Sequence, residues 1–161
     1  MDLLSELDQK AQRVRIQPCA PKQLVAIGKR YFATHNLHFN LMPQRFVAPS
    51  DSLYNAENLT QYVADGGTIL VAIVDECLVG FVAGRKKPLK AEPRKVPKVE
   101  MYVDCIYVDE NFRSKRFKAA DSDGKSVPLA LANAIMQSAV DRGCDELVFD
   151  FWSKNRIRTA K

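Results

Sequence analysis

The alternation of apolar and polar positions divides the chain into short strands and amphipathic helices. Leu3, Leu4 and Leu7 stand at helical spacing and predict a leading helix over residues 1–12. Val14-Arg15-Ile16-Gln17 alternates and ends at Pro18, which predicts a first strand. Pro21 opens a helix to about His35, with Leu24, Ile27 and Tyr31 in one stripe and Val25 and Phe32 beside it. Residues 36–50 hold Pro43 and Pro49 and read as a loop. Asp51 or Ser52 then caps a second helix to about Ala64, with Leu59, Tyr62 and Val63 facing inward and Gly66-Gly67 as its stop.

The second half changes period. Thr68–Val74 is a continuous apolar strand, Asp75-Glu76 turns the chain, and Leu78–Gly84 returns as the other arm of a hairpin. A basic, proline-containing loop over residues 85–98 follows. Val99–Val108 alternates, predicting Val99, Met101, Val103 and Cys105 on one face and Glu100, Tyr102, Asp104 and Ile106 on the other. Residues 109–125 read as polar and irregular. Ser126 caps a helix with Pro128 in its first turn; Leu131, Ile135 and Ala139 form its stripe, and Gly143 ends it. Glu146–Trp152 is a last strand, and Ser153–Lys161 begins a helical turn. The order β-α-α-β-β-β-α-β predicts one α/β domain over residues 1–161, a mixed and mainly antiparallel sheet flanked by helices.

Composition narrows the chemistry. Length and a 47% hydrophobic content suit one globular core. The longest apolar run, Ile69–Val74, is far short of the ~18–20 residues of a membrane span. The N-terminus has no basic stretch followed by an apolar one, so a secretory signal is not expected. Cys19, Cys77, Cys105 and Cys144 are too widely spaced for a zinc site or a disulfide framework. Cys77 and Cys105 fall in apolar strands and read as buried thiols, and a cytoplasmic setting follows. The net charge of +5 is local, because Arg85–Lys98 alone carries seven basic residues against Glu92. That loop reads either as a solvated connection or, with the basic residues of 113–118, as a surface that steers an anionic partner, nucleic acid included, although it has no aromatic platform for single strands. Gly124-Lys125-Ser126 is similar to the end of a phosphate-binding loop, without the glycine that pattern needs at Ala119. His35 and His38 have no acidic or cysteine neighbour and read as structural.

The residues at the end of the fourth strand are the most informative. Val108-Asp109-Glu110-Asn111-Phe112-Arg113-Ser114-Lys115-Arg116-Phe117-Lys118 resembles the acyl-CoA signature V-x-P-x-x-[RQ]-x-x-G-x-[GA] of the GNAT superfamily of N-acetyltransferases. Val79-Gly80-Phe81 and Phe149-Asp150-Phe151-Trp152-Ser153-Lys154-Asn155 are similar to further strands of that family, and the resemblance covers about residues 14–161. It implies acetyl-CoA as cofactor and a primary amine, on a small molecule or a protein, as acceptor. It implies backbone at Ile106, Tyr107 and Val108 beside the pantetheine, with a strand N–H polarising the thioester carbonyl. Arg113, Ser114, Lys115, Arg116, Phe117, Lys118 and Ala119 would hold the pyrophosphate, and Asn155 would orient the cofactor.

The chain departs from the pattern in several places. Arg116 and Lys118 stand at its glycine positions, so charged donors replace close backbone approach. The segment Ala120–Lys125 delays the helix and shifts its N-terminus from the usual pyrophosphate position. The general-acid tyrosine would fall at position 162, with two further strands after it, and the 161 residues stop short of both. The position where histone-type members carry a glutamate is Tyr102; Glu100 and Asp104 flank it as candidate general bases. Two readings follow: an N-acetyltransferase, or a fold relative that binds without catalysing. Dimerisation would be one way to complete a shortened sheet.

Overall fold

A computed structural model describes residues 12–88, 98–113 and 119–149. The expected leading helix, apart from Gln12, and the last turn lie outside the described residues. Six strands form one sheet in the order β5-β1-β2-β3-β4-β6. They are β1 (Gln12–Pro18), β2 (Gly67–Val74), β3 (Cys77–Pro88), β4 (Val99–Val108), β5 (Ala119–Ala120) and β6 (Glu146–Phe149). Helices α1 (Leu24–Leu41) and α2 (Ala56–Ala64) cover one face, and α3 (Val127–Asp141) covers the other. The β1-β2-β3-β4 pairs are antiparallel, while β6 lies parallel to β4 and β5 parallel to β1.

The apolar run of β2 is explained by burial on both sides. Ile69, Val71 and Ile73 pack under α1 and α2 with Ile27, Leu59 and Phe81. Ala72 and Val74 pack under α3 with Leu131 and Ile135. The hairpin turn is the expected Asp75-Glu76, both with positive φ (48° and 63°), which matches strand twist in a two-residue turn. Helix α3 begins where expected, with the Ser126 side chain accepting from the Leu129 N–H.

Four expectations need correction. Helix α1 runs on to Leu41 rather than His35; the chain stops at Met42 because the residue before Pro43 is pushed out of the helical region. The cap of α2 is Asn55, whose side chain accepts from the Asn58 N–H at 2.8 Å, not Asp51 or Ser52. The basic segment is strand as far as Pro88. Cys77 is exposed at the hairpin, and only Cys105 of that pair is buried.

Glycine is required where backbone meets backbone or side chain. A Cβ at Gly28 of α1 would lie 2.2 Å from the Tyr54 carbonyl oxygen, so the chain before α2 can rest directly on the helix. A Cβ at Gly80 would meet the Tyr107 oxygen at 2.7 Å and Leu131 at 3.2 Å. No helix among the described residues is long and apolar enough to cross a membrane.

Candidate functional site

Strand β4 does not keep one alternation along its length. Ala83 of β3 pairs with Cys105, but Gly84 pairs with Val103, leaving Asp104 as an extra residue in a β-bulge. Before the bulge, Met101 and Val103 face α3. After it, Cys105 and Tyr107 face α1 and α2, and Ile106 and Val108 face α3. The expected faces of Cys105 and Ile106 are therefore exchanged, while Asp104 keeps its expected side opposite Met101, where Tyr62 of α2 meets it.

Among the described residues the pairing with β6 reaches the same place. The parallel register runs from Glu100↔Glu146 to Val103↔Phe149. Among the described residues no strand pairs the outer edge of β4 beyond Val103. A groove of about 420 Å³ opens there. One wall is Val103–Val108 of β4, the other is Ala33, Thr34, Leu37 and His38 of α1, and Arg113 and Phe149 complete it. Backbone groups at a strand edge with no strand partner among the described residues can bond an extended ligand with amide groups.

Asp104 lies in the groove wall with its side chain 14% exposed. Its carboxylate accepts from the Tyr62 hydroxyl at 2.7 Å and from Arg85 Nε and Nη2 at 2.9 and 3.3 Å. These donors fix the orientation of its carboxyl group in the groove wall. Glu100 stands four residues earlier, opposite Lys87 on β3 and Glu146 on β6, outside the groove lining. At the mouth, Arg113 Nε donates to the Val108 carbonyl, and its guanidinium lies 5.1 Å from the centre of the Tyr107 ring. The turn Glu110–Phe112 delivers it there, so four of the expected residues, Ile106, Tyr107, Val108 and Arg113, come together.

Ala119 does not join them. It pairs with Gln12 at the opposite end of the sheet, four strand spacings from β4, roughly 19 Å at ~4.8 Å each. Its side chain is buried, and Asp121 folds the next residues by accepting from the Asp123 and Lys125 N–H groups. Gly124-Lys125-Ser126 is thus a capped loop entering α3 from the β1 edge. Ser114, Lys115, Arg116, Phe117, Lys118 and Asn155 lie outside the described residues. The four cations of residues 85–98 that lie among the described residues all have partners within the chain. Arg85 bonds Asp104, Lys86 donates to the Arg142 carbonyl, Lys87 lies over the Tyr102 ring, and Lys98 pairs with Glu146.

Two residues that the sequence pattern did not mark as functional belong to the site. Tyr62, recognised only as an inward face of α2, is a donor to Asp104. Arg30 of α1 reaches Asp109 at the end of β4. The available signal for Arg30 was its place three residues after Ile27, a cation next to the buried stripe of a helix. His35 is structural: Nδ1 is 2.7 Å from the Tyr54 hydroxyl and Nε2 is 2.8 Å from the Val47 carbonyl.

Burial sets the protonation of this face. It pushes the Cys105 thiol up to about 12, against a hydrogen bond with Thr34. It raises the Tyr54 hydroxyl to about 12, with Cys105 and Asp104 adding to the effect. Tyr62 is held well above its ordinary value by burial and then by Asp104, and Tyr31 by burial and then by Cys105 and Asp104. The folded protein keeps these protons after an unfolded chain has lost them, so their contribution is complete at neutral pH. Stability is expected to fall as pH rises past about 9, where an unfolded cysteine ionises, and more steeply past about 10 with the tyrosines. Denaturant midpoints between pH 8 and 12 check this; a flat midpoint would contradict it.

No family model matches the chain, and no curated protein matches it in sequence. Solved structures match it in shape. A mutant of a Bacillus halodurans protein superposes with a TM-score of 0.72 at 15% identity, over 88% of this chain and 84% of that one. An acetyltransferase from Vibrio fischeri gives 0.61 at 18%, over 86% and 96%. An aminoglycoside N-acetyltransferase in complex with CoA gives 0.57 at 19%, over 89% and 80%. The chain therefore has the acyl-CoA N-acyltransferase fold. Its architecture is that of the GNAT enzymes, at 15%, 18% and 19% identity to these three structures.

Proposed function

We propose that the groove between α1 and β4 binds the pantetheine arm of acetyl-CoA and that the chain transfers the acetyl group to a primary amine. The observation that carries this reading is the edge of β4 from Asp104 to Val108, which lines a groove on a fold shared with a CoA-bound acetyltransferase. Acetyl-CoA, when bound, supplies the thioester. The β4 backbone at Ile106, Tyr107 and Val108 bonds the extended arm, and an N–H near the bulge stabilises negative charge developing on the carbonyl oxygen. Arg113 meets the pyrophosphate as a charged donor, joined by Ser114, Lys115, Arg116, Phe117 and Lys118, and Asn155 orients the cofactor. The Asp104 carboxylate attracts the acceptor ammonium and takes its proton through water, with Glu100, four residues earlier on the same strand, as the alternative base. The acceptor is a small molecule or a protein carrying such an amine.

Calorimetry with acetyl-CoA tests binding directly: heat and a thermal shift are expected, and neither at millimolar ligand would end this reading. Asp104→Asn is expected to lower turnover about 100-fold with acetyl-CoA affinity nearly unchanged, measured as CoA thiol release over a panel of primary amines. Asp104 already carries two donors, which favours a second reading of a groove that binds CoA without turning it over. Wild-type protein that binds acetyl-CoA but releases no thiol with any amine would establish that one.

A further inference from the structure

The groove has two walls on different elements, and one ion pair joins them. Arg30 Nε and Nη2 donate to the two carboxylate oxygens of Asp109, each at 3.0 Å. The same guanidinium donates through Nη2 to the Leu78 carbonyl at 3.1 Å and through Nη1 to the Ala26 carbonyl of its own helix at 3.0 Å. The side chains are 22% and 31% exposed, so solvent screens the pair only partly. A planar fork held at four points fixes direction as well as distance.

The position of each partner gives the pair its meaning. Thr34, Leu37 and His38, which line the groove, follow Arg30 by four, seven and eight residues and share its side of α1. Asp109 is the residue directly after Val108, the last groove-lining residue of β4. Its own N–H donates to the Val79 carbonyl, and its carbonyl accepts from Phe112 at the base of the turn that delivers Arg113. The ion pair thus stands where the α1 wall, the β4 wall and the turn that delivers Arg113 meet.

We infer that the Arg30–Asp109 pair is a clasp that sets the spacing of the groove walls, with both residues acting as positioning residues for the cofactor. The inference rests on the groove being the CoA site for its effect on affinity, but not for its effect on the walls. Without the clasp, α1 is held against β4 by apolar packing and the Thr34–Cys105 hydrogen bond, which resist sliding less than a bidentate pair. The ligand would then bear the cost of ordering the walls.

Two measurements on the full chain separate the possibilities, using Asp109→Asn, Arg30→Ala and the double variant, with Val14→Ala as a destabilised control on the far side of the sheet. In the free protein, amide exchange at residues 104–108 and 33–38 is expected to quicken about fivefold or more in Asp109→Asn, with β1 and β2 unchanged. Acetyl-CoA affinity by calorimetry is expected to weaken about tenfold in either single variant and little further in the double, because one interaction is lost in all three. Arg30→Lys, which keeps charge without the fork, should recover only part of it. Should Arg30→Ala fail to fold, Asp109→Asn, which preserves shape, decides alone. Unchanged exchange at the walls would overturn the clasp. So would a Val14→Ala protein of matched thermal midpoint that loses as much affinity. If the wild type binds no acetyl-CoA, the proposed function fails and the exchange data still judge the clasp.

Discussion

Alanine in place of Arg113 is expected to weaken acetyl-CoA binding by about 1.5–3 kcal/mol, roughly 10- to 150-fold, the loss of charged hydrogen bonds to a phosphate. Calorimetry at two salt concentrations measures it. In the free protein Arg113 donates to the Val108 carbonyl and lies over Tyr107, so it is already held at the mouth of the groove. Arg113→Lys keeps the charge and loses the planar fork, and an intermediate affinity is expected. The salt dependence of binding should shrink in Arg113→Ala because one phosphate contact is gone. An affinity equal to wild type would place the pyrophosphate elsewhere.

Phe81→Ala is expected to cost about 3–5 kcal/mol of folding stability, measured as a fall in the urea midpoint at unchanged slope. Phe81 is fully buried at the centre of β3. Its ring belongs to a row that runs beneath the site: Tyr54 stacks on Tyr31 at 4.2 Å, Tyr31 meets Phe81 at 5.5 Å, and Phe81 meets Tyr107 at 6.2 Å. Removing it leaves a cavity between α1 and the two strands nearest the groove. The loss should therefore also quicken exchange at Tyr107. A cost below about 1 kcal/mol would mean the row closes over the gap and is not a rigid floor.

The conformations of this chain have different ranges of cause. Ser126 and Pro128 start α3, Gly143 ends it, and Asp75-Glu76 turn the hairpin, each through interactions within a few residues. Val99–Val108 appears as a strand with the expected limits because an alternating pattern suits a pleated surface regardless of its partners. Ile106, Tyr107, Val108 and Arg113, neighbours in the chain at the β4 exit, line one groove. Even the mistaken end of α1 had a local remedy in Pro43.

What the linear pattern by itself determined is thus strands β1 to β4, the start of β6, the hairpin turn, the cap of α3 and the order of these elements. Only the tertiary structure decided how β4 faces its neighbours. The bulge at Asp104 exists because β3 pairs across it in two registers, and it reverses the faces that alternation predicts. The placing of Ala119 beside β1, the Tyr62 and Arg85 donors on Asp104, and the Arg30–Asp109 pair depend on residues far apart in the chain. Such pairings form when packed elements bring the groups together. Periodicity and capping, which report only on near neighbours, carry no trace of them.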